Sequence, residues 1–183
     1  MNWRRVGGSE FGLHKHKPFG KNPRSVPFRI ILPKGDTDTV SIPAEKFDPK
    51  DVVPRRILIV DDYQTFAEGL ARWLRSLGNE VEVAFNGLHA ITAAEKFRPD
   101  IILLDIGLPD INGYEVAEKI RKKPWGQQTI LIAVTGHGQE EDRRRIRTLG
   151  FYAHLLKPLV YRQVISLLAS CPVRAGSYSH SNS

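Results

Sequence analysis

The sequence holds one cysteine, Cys171, and one methionine, Met1. A lone cysteine excludes an internal disulfide framework and a cysteine-ligated metal cluster, and it fits a reducing, cytoplasmic setting. No run of 18 apolar residues occurs, so no membrane-spanning helix is expected. Residues 1–11 lack the apolar centre of a secretory leader. No internal repeat is visible. Acidic residues are the minority, 20 Asp+Glu against 27 Lys+Arg in 183 residues, for a formal net charge of +7. That balance is compatible with nucleic acid but on this length only suggests it. Hydrophobic residues make up 41%, which excludes full disorder and collagen-like or mucin-like chains.

Composition changes near residue 54. Residues 1–54 carry seven of the 12 prolines and ten Lys+Arg against six Asp+Glu, with poor periodicity. Residues 27–33 and 39–42 read as two short strands around Lys34-Gly35-Asp36, and an isolated hairpin of that kind is marginal in water. The segment is therefore expected to be a mostly irregular basic arm or linker. Residues 174–183 are Ser-rich and read as a frayed tail.

Residues 55–173 read as one domain. Apolar runs at 56–60, 80–85, 101–104, 129–134 and 151–156 alternate with helical patterns at 66–77, 88–97, about 113–122, 139–149 and 159–169. Runs without polar alternation imply strands buried on both faces, hence a parallel sheet covered by helices. Right-handed crossovers make this a doubly wound α/β layer. Trp73 falls at core spacing on the first helix.

Polar residues interrupt the pattern at the carboxyl ends of the strands: Asp61 and Asp62, Asp105, Thr135 and Lys157. Doubly wound sheets bind ligands at those ends. Periodicity does not choose a strand order, but in the flavodoxin-like order 2-1-3-4-5 these ends are neighbours on one rim. Three carboxylates gathered there repel one another and call for a cation, and an all-oxygen ligand set favours Mg²⁺. One carboxylate of such a cluster can act as a nucleophile toward a phosphoryl donor. A lysine ammonium and a hydroxyl on the same rim, Lys157 and Thr135, suit the remaining phosphoryl oxygens. Gly136 leaves room above.

Here the sequence resembles the receiver domains of two-component signalling. The resemblance covers roughly residues 55–171 and rests on four strings in order: Ile57-Leu58-Ile59-Val60-Asp61-Asp62, residues 103–113 (LLDIGLPDING), Val134-Thr135-Gly136 and Leu156-Lys157-Pro158. It implies that Asp105 accepts a phosphoryl group from a phosphohistidine on a sensor histidine kinase or histidine phosphotransfer protein. It implies that Asp61, Asp62, Asp105 and the Ile106-Gly107 backbone serve Mg²⁺, that Thr135 turns toward the phosphoryl group, that Lys157 pairs with it, and that a cis bond precedes Pro158. The family's switch position, three residues before the lysine, is usually aromatic and here is His154, which can swing between exposed and buried rotamers. A downstream protein is expected at the face made by the fourth helix, the fifth strand and the last helix. The strings at 105–109 and 135–143 look most like receivers at the C-terminus of hybrid sensor histidine kinases. Phe28-Arg29-Ile30-Ile31-Leu32-Pro33 is similar to the last strand of a kinase ATP-binding domain. No phosphoacceptor-histidine helix or nucleotide-binding box is present, so the chain itself is not expected to be a kinase.

Other readings stand beside this one. Asp62 could serve only as a helix cap. Arg143, Arg144, Arg145 and Arg147 could form no more than a solvated face, and Cys171 is expected to be inert packing. Other functions are nucleic-acid binding through the arm, which nets only +4, and a phosphorylation-independent interaction module. A hydrolase of external phosphoesters would want a second carboxylate two residues past the nucleophile, where Gly107 stands.

Overall fold

A computed structural model describes residues 53–136 and 145–173. In chain order its elements are β1 (Arg56–Val60), α1 (Gln64–Ser76), β2 (Glu80–Ala84), α2 (Gly87–Phe97), β3 (Ile101–Asp105), α3 (Gly113–Arg121), a 3₁₀ turn (Trp125–Gln127), β4 (Ile130–Thr135), α4 (residues 145–148), β5 (Ala153–Leu156) and α5 (Tyr161–Ser170). The sheet is wholly parallel, in the order β2-β1-β3-β4-β5.

Alternate side chains of the central strands enter two separate cores. Ile57, Ile59, Ile101, Leu103, Ile132 and Val134 meet the buried faces of α1 and α5, from Leu70 and Leu74 to Val164 and Leu168. Leu58, Val60, Ile102, Leu104, Leu131 and Ala133 meet α2 and α3 through Ala90, Phe97, Val116 and Ile120. This is the two-faced burial that continuous apolar strands demand. Cutting Leu103 or Leu104 to alanine in such a core costs about 2–5 kcal/mol.

Local chemistry sets the element ends. Asn86 caps α2 by accepting from His89 N at 2.8 Å, and Asn112 caps α3 by accepting from Glu115 N at 3.0 Å. Gly78 and Gly150 follow α1 and α4 with φ of +87° and +68°, which favours glycine. At the far end of the sheet, the buried Arg55 donates to the Pro172 and Cys171 carbonyls beyond α5, at 2.8 and 2.9 Å. Arg121 donates to the Thr129 and Gly150 carbonyls, both at 2.8 Å, and also to those of Gly126 and Leu149.

Some expectations need correction. Trp73 is only half-buried: its ring stacks on Tyr161 with centroids 4.5 Å apart, roofing the edge of the α1–α5 core. β5 begins at Ala153 rather than Phe151, whose side chain turns into the opposite core. α5 begins at Tyr161 rather than Leu159, after an extended Val160. The expected hairpin, most of the arm, most of the fourth helix with Arg143 and Arg144, and the tail lie outside the described residues. Among the described residues, no helix is long and apolar enough to cross a membrane.

Candidate functional site

Because all five strands are parallel, their carboxyl ends share one rim. Asp61 leaves β1 with its N–H bonded to the Ala84 carbonyl of β2, at 3.1 Å. Asp105 closes β3 beside Val134 of β4, and Thr135 closes β4 beside Leu156 of β5. The Lys157 N–H then donates to the Thr135 carbonyl at 2.9 Å. The ladder thus brings residues far apart in sequence onto one edge.

There the Lys157 ammonium bridges two carboxylates, with Nζ 2.7 Å from Asp61 Oδ2 and 2.5 Å from Asp105 Oδ2. The other oxygens are held by backbone: Tyr63 N donates to Asp61 Oδ1 at 3.0 Å, and Gly107 N to Asp105 Oδ1 at 2.9 Å. Asp61, Asp105 and Thr135 are buried, whereas Asp62 is exposed. One carboxylate oxygen from each of Asp61, Asp62 and Asp105 lies within 4.8 Å of the others. Lys157 Nζ also lies 5.9 Å from the Phe66 ring centroid, at the outer reach of a cation–π contact. The Lys157–Pro158 peptide bond is cis.

Among the described residues charge here is unbalanced, three carboxylates against one ammonium. Burial raises the Asp61 carboxyl above its ordinary value, and the Lys157 hydrogen bond does not fully offset it. Burial also pulls the Lys157 ammonium down, but hydrogen bonds to Asp105 and Asp61 and their charges outweigh it and hold the group high. An all-oxygen cluster with surplus negative charge fits a hard divalent cation such as Mg²⁺.

The remaining predicted residues are placed as follows. Asp62 does not cap α1, whose N-cap is Tyr63 without a side-chain bond. His154 is buried in β5, opposite Ala133. A Cβ on Gly136 would meet nothing within 4 Å among the described residues. Cys171 is buried, and desolvation pushes its thiol up to about 12.

Sequence reasoning missed Asp110. Its carboxylate accepts from Gly87 N at 2.8 Å and Leu88 N at 2.9 Å, at the start of α2. Burial raises this carboxyl, but those two N–H groups, then those of Ile111 and Asp110 itself, outweigh it and hold it low. The available signal was the absence of any acidic residue in the first turn of α2.

The family model described as response regulator receiver domain matches residues 57–169. The chain belongs to that family. A response regulator receiver protein of Anaeromyxobacter sp. (strain Fw109-5) is 38% identical over 113 residues, 62% of this chain and 47% of that protein. The polar-differentiation response regulator DivK of Brucella anthropi is 31% identical over 118 residues, 64% of this chain and 96% of DivK. The chain spans about half the length of the first curated relatives it matches (54%, 47% and 53%). Among solved structures, chemotaxis protein CheY4 of Vibrio cholerae superposes with a TM-score of 0.61 at 26% identity, covering 63% of this chain and 97% of CheY4. A CheY-like receiver domain protein of Methanospirillum hungatei gives a TM-score of 0.60 at 30% identity, over 63% of this chain and 91% of its own. The chain therefore contains a receiver of two-component signalling, a class of phosphoacceptors rather than kinases.

Proposed function

We propose that this receiver accepts a phosphoryl group on Asp105 in a His-to-Asp phosphorelay, and that phosphorylation switches a docking face. The observation that carries this reading is the Lys157 ammonium bridging Asp61 and Asp105 on a rim of three carboxylates. An Asp105 oxygen attacks the phosphorus of a phosphohistidine, on a sensor kinase or a phosphotransfer protein. The P–N bond breaks, and its electron pair stays on the imidazole nitrogen, which takes up a proton. Lys157 shifts from Asp105 to a phosphoryl oxygen while keeping Asp61, and the Thr135 hydroxyl takes another oxygen. Asp61, Asp62, Asp105 and the Gly107 backbone would hold Mg²⁺, which supplies positive charge against the phosphoryl oxygens. Positioning and charge neutralisation are most of what loose phosphoryl transfer asks of a protein.

The receiver is assigned to residues 55–173, with an arm at 1–54 and a tail at 174–183. His154, buried in β5, takes the switch role, answering the movement of Thr135 one strand away. A downstream protein reads the face of α4, β5 and α5. The strings at 105–109 and 135–143 support kinship with the C-terminal receivers of hybrid sensor histidine kinases, and a cytoplasmic location follows from that role.

The test is intact-mass measurement after incubation of the full chain with Mg²⁺ and acetyl phosphate, and separately with a phosphohistidine donor. One added phosphoryl group is expected on the wild type, lost with EDTA and absent from Asp105→Asn. Phosphorylation of Asp105→Asn, or none of a folded wild type with either donor, refutes the reading.

A further inference from the structure

We propose that Asp110 is a positioning residue for the cation-binding half of the site, fastening the loop between β3 and α3 to the start of α2; this rests on the phosphoacceptor reading above. That loop carries Gly107, whose N–H holds Asp105 Oδ1 at 2.9 Å. Its base is closed by Gly113 N donating to the Ile106 carbonyl at 3.0 Å, and Leu108 anchors it in the α2–α3 core. On the far side, the two Asp110 oxygens take the N–H groups of Gly87 and Leu88 at 2.8 and 2.9 Å.

The fit is close on both flanks. A Cβ on Gly87 would lie 2.4 Å from Ile111 Cγ1, and one on Gly113 would lie 2.4 Å from the Asp105 carbonyl oxygen. The loop is thus wedged between the α2 start and the nucleophile's own backbone. The α2 start follows β2, and β2 is tied to Asp61 through the Ala84 carbonyl. The two halves of the carboxylate cluster are therefore joined twice. The β1–β3 ladder joins them below, and the Asp110 bond pair joins them above. Without the upper link, Gly107 and Asp105 Oδ1 lose their fixed offset from Asp61.

The role is distinct from helix capping. Asn86 caps the same helix, but its side chain accepts from His89 N, within α2 itself, rather than bonding across to the loop. Removing either residue weakens α2; only Asp110 holds the loop. Asparagine at 110 offers one acceptor oxygen for two N–H groups and serves one of them.

The experiment compares full-length wild type, Asp110→Ala, Asp110→Asn and Asn86→Ala. Two quantities are read: hydrogen exchange of the Gly107 amide without metal, and the Mg²⁺ concentration giving half-maximal phosphorylation by a saturating donor. Asp110→Ala should speed Gly107 exchange and raise the Mg²⁺ requirement about tenfold, with the rate at saturating Mg²⁺ within about twofold of wild type. Asp110→Asn should fall between, and Asn86→Ala should match wild type in both. The proposal is overturned if Asp110→Ala and Asn86→Ala behave alike, or if Gly107 exchange is unchanged in Asp110→Ala. If the wild type takes neither Mg²⁺ nor phosphoryl while Gly107 exchange speeds only in the Asp110 variants, the fastening role stands and the phosphoacceptor reading falls.

Discussion

Asp61→Asn should make the metal-free protein more stable at neutral pH, although it removes half of an ion pair. At an effective dielectric of about 20, unit charges 2.7 Å apart attract by about 6 kcal/mol, and like charges no more than 4.8 Å apart repel by about 3.5 kcal/mol or more. Asp61 has one such attraction, to Lys157, and two such repulsions, from Asp62 and Asp105. The charge terms nearly cancel, so the lost hydration of a carboxylate 2% exposed decides the sign. Asparagine keeps an oxygen for the Tyr63 N–H and sheds the charge, while Lys157 keeps Asp105. The expected gain is about 1–2 kcal/mol at pH 7 in EDTA, seen as a rise of about 4 °C in Tm per kcal/mol. An acid whose folded pKa is raised contributes stability below its unfolded pKa and loses it as pH rises through the folded value. The two proteins should therefore converge as pH falls through the carboxylate range. Mg²⁺ at about a hundredfold its Kd adds about 2.7 kcal/mol to the wild type and should reverse the ranking. Thermal melts across pH, with and without Mg²⁺, check this. A less stable Asp61→Asn at pH 7 in EDTA refutes the reasoning, because pairing with Lys157 would then outweigh desolvation.

Three further outcomes are expected. The raised Lys157 pKa makes a contribution present below its ordinary 10.5 and lost as pH climbs through the folded value, so alkaline melts should fall in the wild type and stay flatter in Lys157→Met. Gly126→Ala would place a Cβ 1.9 Å from the Ile120 carbonyl oxygen, so urea titration should show a loss of about 2–4 kcal/mol, whereas Gly69→Ala, with nothing within 4 Å of its Cβ, should gain up to about 1 kcal/mol. Cys171, buried with its thiol pushed to about 12, should resist a thiol reagent in native protein and react once urea unfolds the domain.

The rim residues were legible because a parallel sheet buried on both faces leaves its polar groups at the carboxyl ends. Asp61, Asp105, Thr135 and Lys157 each ended an apolar run, and their types are what the proposed cation and phosphoryl group would call for. Local chemistry sets the element ends at Asn86, Asn112 and the left-handed Gly78 and Gly150. Depth was less legible. Helical spacing gives the direction of Trp73 but not its distance from solvent, and that distance depends on Tyr161 arriving from α5.

The sequence by itself determined the α/β alternation, the inventory of reactive groups and their placement at strand ends, because burial periodicity is a property of each segment alone. Only the tertiary structure decided the strand order, since every order of five apolar strands has the same periodicity. Only it set one ammonium between two carboxylates, at 2.7 and 2.5 Å, with the lysine at least 52 positions from either carboxylate. It also decided the partner of Asp110. A hydrogen bond to backbone N–H groups 22 and 23 residues away needs no particular side chain there, so the acid-free first turn of α2 shows that an acceptor is wanted but does not say which residue supplies it.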